Sequence, residues 1–120
     1  MKIDRANTIL YCRHWTETVA FYRDVLELVP VFVNDWFVEF EICPGAFVSI
    51  ANAARATIKP VDGQGSTITL RMSDLTEVHA SLVAASVRVT DINHRWGASS
   101  LFCWDPEGHR LEFWTDTPTD

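Results

Sequence analysis

The 120-residue sequence predicts an α+β fold made of two βαβββ modules, and two observations support this prediction. A strand followed by an amphipathic helix occupies residues 8–29, and the same pattern returns sixty positions later. Three strand-like runs follow each helix. One helix covers only one face of each sheet, so the other faces are predicted to form a concave, cupped mixed sheet. The chain is expected to be a single domain, with modules at about 6–53 and 66–116.

The first module begins with a strand at residues 8–12, and its helix is predicted over 15–27. The helix has an apolar stripe at helical spacing, made of Trp15, Val19, Tyr22 and Leu26. His14 stands at the cap position, where histidine is a poor cap. The three following strands are predicted near 28–34, 36–43 and 46–52, with Cys43-Pro44-Gly45 as the last turn.

The second module repeats this order, with a strand at 68–72 and a helix from Asp74 to Ala85. Asp74 and Glu77 have the spacing of a capping box, which predicts where the second helix begins. Its three strands are predicted near 87–93, 99–104 and 109–115. The turn Asp105-Pro106-Glu107-Gly108 matches the earlier one, so Gly45 and Gly108 occupy equivalent places.

The composition excludes several kinds of partner. Ten basic against sixteen acidic residues give a net charge of −6, which disfavours nucleic acid and anionic membranes because both require cationic surfaces. No apolar run approaches the ~18 residues that a membrane span requires. The three cysteines, Cys12, Cys43 and Cys103, are expected to be buried, reduced thiols. These features predict a cytoplasmic protein.

Two stretches of the chain resemble a known family. The first is residues 19–28, VAFYRDVLEL, in which Glu27 stands where a glycine is common. The second contains Trp96-Gly97, Phe102 and the run DPEGHRLEF at 105–113. Together they resemble the glyoxalase/bleomycin-resistance/extradiol-dioxygenase superfamily, also called vicinal oxygen chelate (VOC) proteins. The resemblance implies the fold above and a homodimer whose pockets form where modules meet, within one chain or by swapping between chains.

Enzymes of this superfamily usually hold a divalent metal on the first and last strands of each module. The resemblance carries those positions onto Asn7, Ser49, Thr67 and Glu112. One carboxylate and three neutral oxygen groups are a poor ligand set for Zn, Ni, Fe or Mn. The four histidines are expected to be surface or rim residues rather than ligands. We therefore expect no cofactor, and the alternative is a divalent metal held by Glu112 with the other three residues.

Strand alternation predicts the lining of the cup. The predicted ligand-binding residues are Asn7, Tyr11, Phe47, Ser49, Thr67, Arg71, Trp96, Phe102, Trp104 and Glu112. Glu112 is expected to be a buried carboxylate held by hydrogen bonds or by Arg71, its candidate cationic partner. Trp15 is expected to be structural. Aromatic walls around a carboxylate suit a flat or cationic organic molecule. Alternation leaves open whether Glu39 and Glu41 face the cup or solvent, and solvent is the simpler expectation.

Three functional hypotheses follow. The leading one is a metal-independent small-molecule-binding protein of the bleomycin-resistance kind. The second is a metal-dependent enzyme of glyoxalase or dioxygenase type with unusual ligands, and the third is a structural or regulatory dimer whose cup binds nothing. The predicted register brings together no Ser/His/Asp set and no Cys/His pair. Glu112 is therefore the best catalytic candidate, as a lone general base.

Overall fold

The computed structural model describes residues 1–117 and shows two compact units, unit 1 at Met1–Gly63 and unit 2 beginning at Gln64. Each unit contains one four-stranded mixed sheet and one main helical segment. The order in each unit is strand, helix, strand, strand, strand. The α+β class and the repeated βαβββ arrangement are therefore confirmed.

Unit 1 contains the first four strands and the first helix. Its elements are β1 (Ala6–Cys12), α1 (Trp15–Ala20), a π-helical continuation (Phe21–Val25), β2 (Val29–Val33), β3 (Phe37–Cys43), β4 (Ala46–Asn52) and a 3-10 turn (Ala53–Arg55). The sheet order is β1-β4-β3-β2, with β1 parallel to β4 and the other pairs antiparallel.

Unit 2 repeats this topology. Its elements are β5 (Thr67–Arg71), α2 (Leu75–Ala84), β6 (Asn93–Arg95), β7 (Ala98–Trp104) and β8 (Arg110–Asp116). The sheet order is β5-β8-β7-β6, again with one parallel pair, β5 and β8. The parallel pairs β1–β4 and β5–β8 are equivalent, so the repeat in the sequence corresponds to a repeat of the whole unit.

The first helix differs from its predicted form. It was expected to be continuous over 15–27, but α-helical geometry ends at Ala20 and π-helical geometry continues to Val25. The amide of Leu26 donates to the Phe21 carbonyl at 3.0 Å, a spacing of five residues that defines the wider turn. Glu27 then adopts a left-handed conformation with φ of 56°. That conformation explains why glycine is common at this place in the family.

The strand predicted near 87–93 is largely wrong. Val89 makes only an isolated bridge to Cys103, and β6 begins at Asn93. At Thr90 the side-chain hydroxyl, rather than the carbonyl, accepts the amide of Phe102 at 2.9 Å. The side chain thereby replaces one backbone ladder bond, while the Thr90 amide still donates to the Phe102 carbonyl at 2.8 Å. Regular strand pairing resumes only at β6.

The core of each unit lies between its sheet and its helix. In unit 1 the buried residues Val38 and Phe40 alternate with Glu39 along β3, and the Phe40 ring lies 6.2 Å from Tyr22 of the π-helical turn. In unit 2 Leu111 and Phe113 are buried and alternate with Glu112. Val38 and Phe40 on β3, and Leu111 and Phe113 on β8, therefore mark the core face of each sheet. We call the opposite side of each sheet its open face.

Candidate functional site

The open face of unit 1 gathers residues from three strands. In the parallel pair, Asn7 lies opposite Phe47 and Ile9 lies opposite Ser49. In the antiparallel pair, Glu39 lies opposite the same Ser49. Neighbouring strand residues in register share a face, so the structure brings together three predicted site residues and adds Glu39. Tyr11 lies on the same face, two positions beyond Ile9 on β1.

A chain of hydrogen bonds connects these side chains. The buried Ser49 hydroxyl donates to Asn7 Oδ1 at 2.9 Å, and Asn7 Nδ2 donates to Glu39 Oε2 at 3.4 Å. The other carboxylate oxygen, Oε1, accepts from Arg5 Nη2 at 2.5 Å. Both oxygens of Glu39 therefore have donors, and the buried end of the chain fixes the orientation of the exposed end.

Arg5 also stacks on Phe47. Its guanidinium carbon lies 3.7 Å from the centroid of the Phe47 ring. The Glu39 side chain is only 16% exposed, whereas the Arg5 side chain is 52% exposed. The same guanidinium group thus satisfies a shielded carboxylate and an aromatic face at once.

Sequence reasoning did not identify Glu39 and Arg5 as site residues. The expectation that Glu39 faces solvent is not met, because its carboxylate accepts from Asn7 and from Arg5. Glu41, two positions further along β3, is exposed, as expected. The alternation along β3 already placed Glu39 on the face opposite to Val38 and Phe40. It did not indicate whether that face lies toward other site residues or toward solvent. Arg5 precedes β1 and belongs to no periodic pattern, and no sequence signal pointed to it.

The open face of unit 2 is built in the same way. Thr67 lies opposite Arg110 and Thr69 lies opposite Glu112 across the parallel pair. Across the antiparallel pair, Phe102 lies opposite Glu112, and Trp104 lies opposite Arg110. Four predicted site residues therefore share this face: Thr67, Phe102, Trp104 and Glu112.

Arginine side chains cover the aromatic rings of this face. The guanidinium carbon of Arg110 lies 4.5 Å from the Phe102 ring centroid, and that of Arg88 lies 4.0 Å from the Trp104 centroid. Arg110 also donates from Nε to the Thr67 hydroxyl at 2.9 Å. These stacked guanidinium groups show that the rings accept cations on their faces.

The expected pairing of Arg71 with Glu112 is wrong. Arg71 forms its ion pair with Asp116 and lies over Trp114, its neighbour in register. Glu112 and Asp116 lie two positions to either side of Trp114 on β8, and the Arg71 side chain takes the Asp116 side. Within residues 1–117, neither an ion pair nor a hydrogen bond reaches the partly buried Glu112 side chain. An open pocket lined by Arg71, Met72, Ser73 and Thr115 adjoins this end of the face.

The Asp-Pro-Glu-Gly turn serves a structural purpose. Asp105 Oδ1 accepts the amides of Glu107, Gly108 and His109 at 2.9–3.0 Å. Asp105 Oδ2 lies 2.8 Å from His109 Nδ1, and both side chains are buried. The expectation that His109 is a surface or rim residue is therefore wrong, because Asp105 provides it with a buried partner.

Two of the three thiols match their predicted environment. Cys12 and Cys103 are buried, whereas Cys43 is exposed at the end of β3, and none of the three forms a disulfide within the described residues. The prediction of burial is wrong for Cys43, which lies at the exposed end of β3. Burial, together with the negative charge of Asp105, raises the pKa of Cys103 to about 12. Cys103 therefore stays protonated near neutral pH and is a poor nucleophile.

The structure brings together a serine and a histidine that the sequence analysis did not place side by side. His94 Nδ1 lies 2.6 Å from the Ser99 hydroxyl, which lies 3.0 Å from the Thr117 hydroxyl. The two residues are opposite each other in the β6–β7 pair, which forms later in the chain than predicted. Ser99 is buried and lies on the same side of β7 as Leu101 and Cys103, opposite to the side of Phe102. The pair is therefore on the core side of the sheet, away from Glu112.

The two tryptophans discussed above have different environments. Trp15 donates from Nε1 to the Ile50 carbonyl at 2.8 Å, which confirms its structural role. Trp96 is 97% exposed in the turn between β6 and β7, with φ of 52°. Its assignment to the pocket rim stays a prediction.

The donor groups of the two open faces do not fit a family metal. Across the described part of the chain, no three His, Cys, Asp or Glu side chains are grouped as a metal ion requires. In unit 1, Asn7 Oδ1 and the Ser49 hydroxyl bond to each other, and Glu39 is neutralised by Arg5. In unit 2 the neighbours of Glu112 in register are a threonine and a phenylalanine. These residues therefore do not form the set of nitrogen, sulfur or carboxylate ligands that Zn, Ni, Fe or Mn requires.

Two βαβββ units, each with a polar and aromatic open face, define the structural class of this protein. A sequence model of the Glyoxalase/Bleomycin resistance protein/Dioxygenase superfamily matches residues 2–113, and the chain belongs to this superfamily. The resemblance seen in the sequence is thus confirmed. Comparison with curated protein sequences gave no match. None of the helices in residues 1–117 is long and apolar enough to cross a membrane.

Solved structures show the same fold. A lactoylglutathione lyase from Agrobacterium tumefaciens is 23% identical, with a TM-score of 0.73, and the match covers 91% of this chain and 90% of the lyase. A virulence protein from Salmonella typhimurium is 19% identical, with a TM-score of 0.77 and coverage of 97% and 99%. A glyoxalase/bleomycin resistance protein/dioxygenase from Nocardioides is 17% identical, with a TM-score of 0.76 and coverage of 100% and 86%. At these identities the likeness concerns the fold alone.

Proposed function

We propose that this protein binds a small aromatic or cationic organic molecule directly, without a metal. The observation that carries the proposal is Glu112, whose carboxylate has no ion-pair partner within residues 1–117 and lies beside Phe102. Arg110 covers Phe102 but makes its hydrogen bond to Thr67, so it does not neutralise Glu112. A shielded carboxylate next to an aromatic face is a favourable environment for an organic cation.

The other residues of the open faces support a ligand of this kind. Phe102 and Trp104 already carry guanidinium groups on their faces, which a flat ligand could replace. The Thr67 hydroxyl is available to orient a bound ligand by a hydrogen bond. A mostly apolar ligand site needs only a few polar groups of this kind. We also propose that the protein is a homodimer, as the family resemblance implies, and that it is cytoplasmic, as its composition predicts.

A metal-dependent enzyme of glyoxalase or dioxygenase type is the second candidate. It is favoured by one observation, the carboxylate of Glu112 at a position that the family uses for a metal ligand. The structural similarity to a lactoylglutathione lyase concerns the fold alone, and proteins with many different activities share this fold. In such an enzyme Glu112 would bind the metal rather than an organic cation.

Isothermal titration with benzyltrimethylammonium tests the proposal, with benzyl alcohol as the neutral probe. We expect the cation to bind and Glu112→Gln to weaken its affinity about tenfold, because the substitution removes the attracting charge. Glu77→Gln is the matched control, since Glu77 is an exposed glutamate of the same unit on α2. Equal affinity in the Glu112→Gln variant contradicts the proposal, as does tighter binding of phenyl phosphate.

Metal independence has its own test. We expect dialysed protein to contain no stoichiometric Zn, Ni, Fe or Mn by elemental analysis, because the open faces offer too few ligands. Treatment with EDTA should leave the affinity for benzyltrimethylammonium unchanged. A full equivalent of metal that survives dialysis, and whose removal abolishes binding, would replace the first candidate with the second.

A further inference from the structure

The geometry of unit 1 points to a second binding site, for a planar organic cation of the guanidinium or amidinium class. We infer that Arg5 occupies this site in the free protein and that a ligand displaces it. The site consists of the Glu39 carboxylate and the face of Phe47, with Asn7 and Ser49 behind the carboxylate. It uses no residue of unit 2, so it goes beyond the function proposed above and does not depend on Glu112.

The contacts of Arg5 define what the site recognises. One guanidinium group is held both through an N–H to Glu39 Oε1, at 2.5 Å, and through its flat face on Phe47, at 3.7 Å. A planar delocalised cation can donate from its edge and stack with its face at the same time. A tetrahedral ammonium cannot lie flat on the ring, so the arrangement selects planar cations.

The carboxylate is held in place before any ligand arrives. Glu39 Oε2 accepts from Asn7 Nδ2, and Asn7 Oδ1 accepts in turn from Ser49, whose side chain is completely buried. The amide of Asn7 is therefore oriented from both ends. A carboxylate whose position is fixed by a buried chain of bonds needs less ordering when a cation binds.

Arg5 itself is the movable member of the cluster. It precedes β1, its side chain is half exposed, and within residues 1–117 its only side-chain partners are Glu39 and Phe47. An exposed arginine gains little from one ion pair because water and salt compete for both charges. A free planar cation that makes the same two contacts can therefore exchange with it.

Displacement predicts that removing Arg5 will improve binding. Benzamidine is a suitable probe because its amidinium is planar and cationic. While Arg5 occupies the site, the apparent affinity is reduced by the fraction of molecules in which the site is open. We expect Arg5→Ala to bind benzamidine at least about fivefold more tightly than the parent chain in isothermal titration. Adding Glu39→Gln to Arg5→Ala should abolish the gain.

Two controls make this result specific. Arg13→Ala removes the same charge from unit 1, but Arg13 pairs with the exposed Asp62 and stacks on no ring among the described contacts. It should leave the benzamidine affinity unchanged, and an equal gain from Arg13→Ala would overturn the inference. An Arg5→Ala variant that binds no more tightly than the parent chain, or does not bind, overturns it too. Loss of the gain on adding Glu112→Gln would assign benzamidine to unit 2 and likewise overturn it.

Discussion

Asp105 is the single residue that organises most local structure in unit 2. One of its carboxylate oxygens accepts three consecutive backbone amides, and the other pairs with His109. The side chain is completely buried, so removing it would leave the buried donors of Glu107 and His109 without an acceptor. The family motif around the Asp-Pro-Glu-Gly turn is therefore explained by folding rather than by ligand binding.

Replacing Asp105 should cost much stability. We expect Asp105→Ala to lower the free energy of unfolding by about 3 kcal/mol, because it leaves buried donors without acceptors. Urea denaturation measures this change. Asp35→Ala is the control, since Asp35 forms an exposed ion pair with Arg55 and should change stability by less than about 1 kcal/mol. Similar losses in both variants would contradict the role of Asp105.

The two helices show how capping affects an element. In α2 the Asp74 side chain accepts the amide of Glu77 at 3.1 Å, as the capping box predicted, and the helix runs for ten residues. In α1 His14 makes no side-chain capping bond, and α-helical geometry lasts for only six residues. The first helix then ends at Glu27, which takes a left-handed conformation that glycine adopts more easily.

Glu27→Gly should therefore stabilise the protein. Glycine adopts a φ of 56° without the steric penalty of a β-carbon, and the gain exceeds its greater freedom when unfolded. We expect the free energy of unfolding to rise by about 0.5–1 kcal/mol in thermal or urea denaturation. Glu17→Gly, inside α1, is the matched control and should lower it by about 1 kcal/mol. Destabilisation by Glu27→Gly would contradict this account of the helix end.

The whole molecule exposes much apolar surface along one sheet edge. All five residues of the edge strand β2 are exposed, including Phe32 at 53%. Exposed apolar edges of this kind commonly pair with or pack against another chain. This surface is the basis on which we expect the homodimer that the family resemblance implies.

Sedimentation equilibrium tests the dimer directly. We expect a mass of twice the 13.6 kDa of one chain at micromolar concentration, because association would remove apolar area from water. Raising the concentration should not increase the mass further, since a symmetric dimer closes on itself. A 13.6 kDa species throughout this range would contradict the prediction.

The sequence by itself determined the repeated βαβββ order, the Asp74 cap and the separation of Glu39 from Val38 and Phe40. These features depend on local periodicity and on residues within one turn, which the sequence displays directly. Strand limits failed where a side chain replaced a backbone bond, as at Thr90.

Only the tertiary structure decided which side chains meet. Arg71 pairs with Asp116 rather than Glu112, Arg5 reaches Glu39, and His94 meets Ser99. Each outcome depends on the register between strands and on a choice among several partners on one face. A shift of one residue in register changes the face of every side chain, and local sequence patterns do not contain that information.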